Sequence, residues 1–212
     1  NDPGVNRVHW NFRKDPYYEH ETSESAWWDP VRAAKVLPGE YTVRLAAANQ
    51  EMTRPLTVRM DPRLENVSSE ALRAQHDAVD RLAQIAAQGD RALERLEAID
   101  EALAARHQAT DGELKEQVAA VKDIFADFRS RLEADPGGYR SPAQLHDKIG
   151  DLLREIDSAT NRPTAPQIKW IDRLEEDLNG MLSEMEATVE SELPGLNENL
   201  QRQGHDPVET DL

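Results

Sequence analysis

The residues of this chain best suited to acid–base or metal chemistry are its six histidines, His9, His20, His76, His107, His146 and His205. No two of them form the H-E-x-x-H arrangement that places two ligands on one helix face. Glu19-His20-Glu21 offers three donors in a row, but adjacent side chains point apart and the segment reads as loop, so a solvated charged run is the simpler reading. His76 stands beside Asp77 on a helical stretch and reads as surface. A di-iron bundle needs inward Glu and Glu-x-x-His motifs on facing helices; no histidine here has Glu three residues before it, and His146 has Gly150 four residues on. Glycosidase chemistry needs two carboxyl groups flanking one bond with divergent pKa values. The acids instead fall on outward helix positions, as in Asp172, Glu175, Glu176 and Asp177. Pro136-Gly137-Gly138 is too short for a phosphate loop and lacks the following Lys-Ser/Thr. With no Cys there is no thiol nucleophile, thiolate metal site or disulfide framework. The expectation is a chain with no catalytic, cofactor or metal site of its own.

Charge narrows the partners. Of 212 residues, 25 are Lys or Arg and 41 are Asp or Glu, a net charge of −16. A phosphate backbone needs a basic face, so nucleic acid is not an expected partner. There is no run of about 18 apolar residues, hence no expected membrane span. The chain opens on Asn1, with neither Met nor a charged-then-apolar leader, which fits a signal peptide removed or not included in this sequence.

Two regions must position whatever binds. Residues 1–62 carry 8 basic and 9 acidic side chains, whereas residues 63–212 carry 17 and 32. Seven of the eleven aromatics lie in the first region. There, Arg7 to Arg13 alternates with Val8, Trp10 and Phe12 on one face, the period of a half-buried strand. Pro38-Gly39 is a turn signal, and Tyr41, Val43 and Leu45 then share a face; Leu56, Val58 and Met60 form a third alternating run that Asp61-Pro62 stops. Gly39 to Met60 thus reads as an antiparallel hairpin with a polar tip at Asn49-Gln50. Three strands cannot enclose a sandwich, which takes roughly seven strands and 100 residues. Either they pack on the helices or polypeptide outside this chain covers them, and the second reading is preferred. The 15–37 loop is long for a compact domain and carries Tyr17-Tyr18 and Trp27-Trp28. Clustered Tyr and Trp bury much area at low entropic cost. Docking on another part of the protein or a partner is the leading reading for them, with local core and sugar stacking as the alternatives.

From Ser68 the period becomes helical. Helices are expected over about 69–106 (Leu72, Val79, Leu82, Ala86, Leu93, Leu96, Leu103), 111–133 (Leu114, Val118, Val121, Phe125, Phe128, Leu132), 142–159 (Leu145, Ile149, Leu152, Ile156) and 165–192 (Ile168, Ile171, Leu174, Leu178, Met181, Met185, Val189). Gly89 interrupts the first and marks a weak point or a close contact. Thr110-x-x-Glu113, Ser141-Pro142-x-Gln144 and Thr164-x-x-Gln167 match the capping box, with Pro142 at a first helical position. Short connections place successive helices antiparallel, so the expected fold class is α+β: a partial antiparallel immunoglobulin-like β layer over 1–62, then an acidic up-down-up-down four-helix bundle over 63–212. Leu193-Pro194-Gly195-Leu196-Asn197 with Leu200 reads as a final turn folding back. Asn66-Val67-Ser68 is a formal glycosylation sequon.

Several segments together resemble the C-terminal region of bacterial sortilin-like or sialidase-like proteins that carry a BNR-repeat β-propeller (glycosyl hydrolase-like). They are Asn6–Arg13, Leu37–Leu45, Pro55–Arg63 and Glu192–Asn197, whose order covers nearly the whole chain. The resemblance implies that the first three are strands of an immunoglobulin-like sandwich following the propeller, and that the parent protein is secreted, in an extracellular or periplasmic location. The propeller's Ser-x-Asp-x-Gly-x-Thr-Trp type of box is absent from this sequence, so no family catalytic residue maps onto it. The expectation is a non-catalytic structural or interaction module. Val8, Trp10, Phe12, Tyr41, Val43, Leu45, Leu56 and Val58 would form its β core, completed by the upstream propeller/Ig-like part of the same protein, with Trp27 and Trp28 at a docking surface. The second reading is self-association into a filament through exposed strand edges, and the third an accessory part of a glycoside hydrolase.

Overall fold

The structure, a computed structural model, describes residues 5, 7–18, 33–47, 50–64, 66–134 and 141–209. Its described part is α+β: a two-stranded antiparallel sheet, β1 (Gly39–Ala47) and β2 (Gln50–Val58), and four helices, α1 (Ser69–Ala109), α2 (Gly112–Leu132), α3 (Leu145–Ser158) and α4 (Ala165–Arg202). The expected strand over 7–13 is not formed. One isolated antiparallel bridge, Arg13 with Lys35, is what that alternation produces among the described residues. Phe12 explains the break, since its φ of 60° lies in the left-handed region that a bulky residue rarely adopts and that ends an extended run.

The helical ladders bury as their spacing dictates. Val79, Leu82, Leu96, Ile99 and Leu103 of α1 meet Val118, Phe125 and Leu132 of α2, Ile149 and Ile156 of α3, and Ile171, Leu178 and Leu193 of α4 in one core. Ion pairs and hydrogen bonds fix the directions. Arg81 reaches Asp172 and Glu175 while Arg95 reaches Glu186, so α1 and α4 ascend together. Lys122 pairs with Asp100, while Gln75 donates to the Ile156 carbonyl and His146 meets Asp90, so α2 and α3 both descend along α1. Gln117 with Asn199 and Arg131 with Glu184 give the same sense for α2 against α4. The order is up-down-down-up, in place of the alternation expected from short connections. Length supplies the reason: at 1.5 Å per residue the 41-residue α1 spans about 60 Å, and the 21-residue α2 and 14-residue α3 cover it only end to end.

Helix ends depart from the expected caps where a stronger acceptor is present. Thr164 and Gln167 form the expected box on α4, the Thr164 N–H donating to Gln167 Oε1 at 2.8 Å. Thr110 instead closes α1, its hydroxyl donating to the Arg106 carbonyl at 2.8 Å, and Asp111 is the N-cap residue of α2. Helix α3 starts at Leu145, not Pro142, because the Asp147 carboxylate accepts the Gln144 N–H at 2.9 Å and the Ala134 N–H at 3.1 Å, a charged acceptor joining two helix ends. Helix α4 runs straight through Pro194-Gly195. An interior Pro costs about 3 kcal/mol, but burying Leu193, Leu196 and Leu200, each worth about 1.5–3 kcal/mol, outweighs it. The fold-back comes later. Gly204, at φ 83°, turns the chain; Val208 is buried and its backbone is held on both sides by Asn197, at 2.7 and 2.9 Å.

Candidate functional site

The hairpin stands off the helices: β1 and β2 contact each other and no helix. Its register pairs Tyr41 with Leu56, Val43 with Arg54 and Leu45 with Met52 on one face, and Glu40 with Thr57 and Arg44 with Thr53 on the other. Apart from Arg54 the first face is apolar, and it is open, with Val43, Leu45 and Met52 exposed by 51%, 55% and 56%. At its root, Trp10 packs on Phe12 with ring centroids 5.0 Å apart and edge-on to Tyr41 at 6.1 Å. The Trp10 indole donates to the Arg13 carbonyl at 2.9 Å and the Tyr41 hydroxyl to the Leu37 carbonyl at 2.6 Å, so this aromatic group is a built feature. Of the eight expected β-core residues, Val8, Trp10, Phe12, Val43 and Leu45 are exposed, and Tyr41, Leu56 and Val58 are half-buried. Among the described residues no helix packs on these strands, and what cover the hairpin root has includes the packing of Trp10 on Phe12 and Tyr41.

A strap ties the root of the hairpin to the helical body. The Lys14 N–H donates to the Ala34 carbonyl at 3.0 Å and the Val36 N–H to Phe12 at 2.8 Å, and Ala33 and Ala34 are buried. Arg13 grips Asp157 near the end of α3 through both guanidinium nitrogens, at 3.2 and 2.7 Å, and donates to Ala33 at 2.9 Å; both side chains are largely buried. His76 Nδ1 donates to the Lys35 carbonyl at 2.8 Å. Tyr17 is the centre of a second grip. Its hydroxyl donates to Asp80 at 2.9 Å and accepts from Lys14 at 2.9 Å and Gln84 at 3.2 Å. Lys14 also pairs with Asp80 at 2.6 Å, which raises the lysine pKa. Burial opposes the charge on Asp80, but Lys14 and Tyr17 outweigh it and lower its pKa. The Tyr18 hydroxyl donates to Glu94, and Arg91 lies 5.9 Å from its ring. Desolvation first, then the Glu94 carboxylate, push the Tyr18 phenol up to about 12.

The structure therefore docks Tyr17 and Tyr18 on α1 of the same chain, while Trp27 and Trp28 lie outside the described residues. Arg13, Asp157, Asp80 and Gln84 carry no sequence signal that singles them out, since each is one charge or amide among many. His76, read as surface, is a strap contact.

One histidine is half-buried against a buried carboxylate. His146 Nε2 lies 3.0 Å from Asp90 Oδ1 where α2 and α3 meet against the middle of α1. Gly89 makes room for it: a Cβ there would sit 2.7 Å from His146 Cδ2, the close contact foreseen at this glycine. Burial favours the neutral ring, but Asp90, with Glu133 and Asp147 beyond it, prevails and raises the His146 pKa above 6.5. Beside this junction a cavity of about 700 Å³ opens, lined by Asp100, Lys122, Phe125, Arg129, Glu133 and Gln144 among others. Lys122 and Asp100 pair across 3.3 Å there. Among the described residues no group of three His, Cys, Asp or Glu side chains could hold a metal ion, and no helix is long and apolar enough to cross a membrane. Compared with protein-family models, curated proteins and solved structures, the chain matches none.

Proposed function

We propose that this chain is a non-catalytic structural and interaction module, in which an acidic helical body holds out a β-hairpin that joins further β polypeptide. The observation that carries this reading is the largely apolar hairpin face of Tyr41, Val43, Leu45, Met52 and Leu56, with Arg54 among them, which no helix covers. Contiguous exposed apolar surface marks an interaction site, and an isolated two-stranded hairpin is marginal without a packed face. The strap supports the same role, since Arg13–Asp157 and the Tyr17 cluster fix where the hairpin emerges. On the resemblance, the polypeptide it joins is an upstream immunoglobulin-like layer following a BNR-repeat propeller in a secreted bacterial protein.

Hydrogen exchange on the full chain, with and without the upstream polypeptide encoded before Asn1, tests the proposal. The expected result is rapid exchange in β1 and β2 beside slow exchange in α1 and α4, with the strands becoming protected when that polypeptide is present. Strands as protected as the helices in the chain alone would refute it.

A further inference from the structure

The register of the hairpin decides which of its edges can accept a strand. Pairing is unbroken from Ala47 with Gln50 to Gly39 with Val58. Successive antiparallel pairs alternate between those that exchange both hydrogen bonds and those whose N–H and C=O point outward. Pro55 has no N–H to exchange, so its pair with Thr42 is of the outward kind, and with it Glu40–Thr57, Arg44–Thr53 and Ala46–Glu51. The outer edge of β2 therefore lacks a donor at Pro55, a blunted edge. The outer edge of β1 presents the N–H and C=O of Glu40, Thr42, Arg44 and Ala46, and no described backbone group bonds to them.

We propose that β1 pairs edge to edge with β1 of a second copy of this chain, antiparallel about a two-fold axis at Thr42, to give a four-stranded sheet in the order β2-β1-β1-β2. Charge complementarity selects the occupant and the register. With Thr42 opposite the partner's Thr42, Glu40 faces the partner's Arg44 and Arg44 faces the partner's Glu40, while Tyr41 faces the partner's Val43 on the other side of the sheet. Opposite charges, and aromatic with β-branched side chains, are the favourable cross-strand pairs. A two-fold axis at Glu40 or Arg44 would set like charges against each other. The contact is isologous and closes on itself. It consumes the open edge of each copy and leaves the blunted β2 edges outside, so it ends at a dimer, whereas a filament needs two open edges. The two apolar faces become one continuous surface for the cover proposed above. The inference rests on reading the hairpin as an unfinished layer, and the two fail separately: oligomeric state tests this one, protection by upstream polypeptide the other.

Sedimentation velocity and light scattering of the full chain over a wide concentration range should show a monomer–dimer equilibrium with nothing larger. Thr42→Pro removes an outward N–H without touching a hairpin bond and should weaken the dimer by about tenfold or more; Thr53→Pro, on the β2 edge, should not. Glu40→Arg and Arg44→Glu should each weaken it, and together should restore it. Circular dichroism of each variant reports whether the helical body is intact. A monomer throughout, assemblies growing beyond two copies, or a dimer indifferent to Thr42→Pro and to the charge exchange would overturn the proposal.

Discussion

Gly89→Ala should destabilise this protein although it replaces the poorer helix former by the best one. In an exposed helix interior the change gains about 1 kcal/mol. At this position the new methyl would lie 2.7 Å from His146 Cδ2, with Nε2 at 3.6 Å and Cγ at 3.7 Å. Optimal carbon contacts are about 3.5–4.0 Å, so one pair overlaps by roughly 1 Å. The ring cannot back away freely, because its Nε2 is 3.0 Å from Asp90, whose side chain is 7% exposed. Retreat would loosen a buried charged pair, and staying would compress the core, which costs about 1–3 kcal/mol. After the propensity gain is subtracted, a net loss of up to about 2 kcal/mol remains. Urea unfolding followed by helical circular dichroism measures it. The decisive comparison is the same change in a His146→Ala background, where the clash is gone and Gly89→Ala should stabilise by about 1 kcal/mol. The same sign in both backgrounds would refute the packing argument.

The raised His146 pKa makes its stabilisation complete below the ordinary value of 6.5 and lost as pH rises through the higher folded value. Unfolding free energy should therefore fall as pH rises from 6.5 through the folded value and then level off, and His146→Gln should remove this slope in a urea-unfolding series across pH. Arg13→Ala should leave the partly buried Asp157 with the longer Lys35 contact, 3.7 Å, as its remaining counter-charge, costing about 1–3 kcal/mol, and hydrogen exchange should show residues 12–18 and 33–36 released from the helical body while α1 stays protected. Pro194→Ala, at an exposed position inside α4, should stabilise the protein by about 2–3 kcal/mol, read as a higher urea midpoint with an unchanged slope.

What could be read in advance followed how local its cause was. The four helices lie where their ladders of Leu, Ile, Val and Phe place them, because an amphipathic period needs a core on one side whatever that core is made of. The Thr164–Gln167 box formed because both partners sit within one turn. Thr110 and Pro142 misled because a competing acceptor, the Arg106 carbonyl or the Asp147 carboxylate, was available nearby. Pro194 misled because its local penalty is smaller than the burial of Leu193 just before it and Leu196 and Leu200 after it. Trp10, Phe12 and Tyr41 do come together at the hairpin root, but the strand that would align Val8 with them ends at the turn around Phe12.

The sequence by itself determined the hairpin and the acidic helices, since periodicity and charge act over a few residues, whereas at Gly89 it left a weak point and a close contact as alternatives that the packing of His146 resolved. Only the tertiary structure decided that α2 and α3 descend one after the other along α1, because direction depends on how helix lengths add up against a long partner. It also decided which few of many like charges matter. Arg13 with Asp157 lie 144 residues apart and His146 with Asp90 lie 56 apart, and a pairing over such separations is chosen by burial and distance in space, which no local pattern encodes.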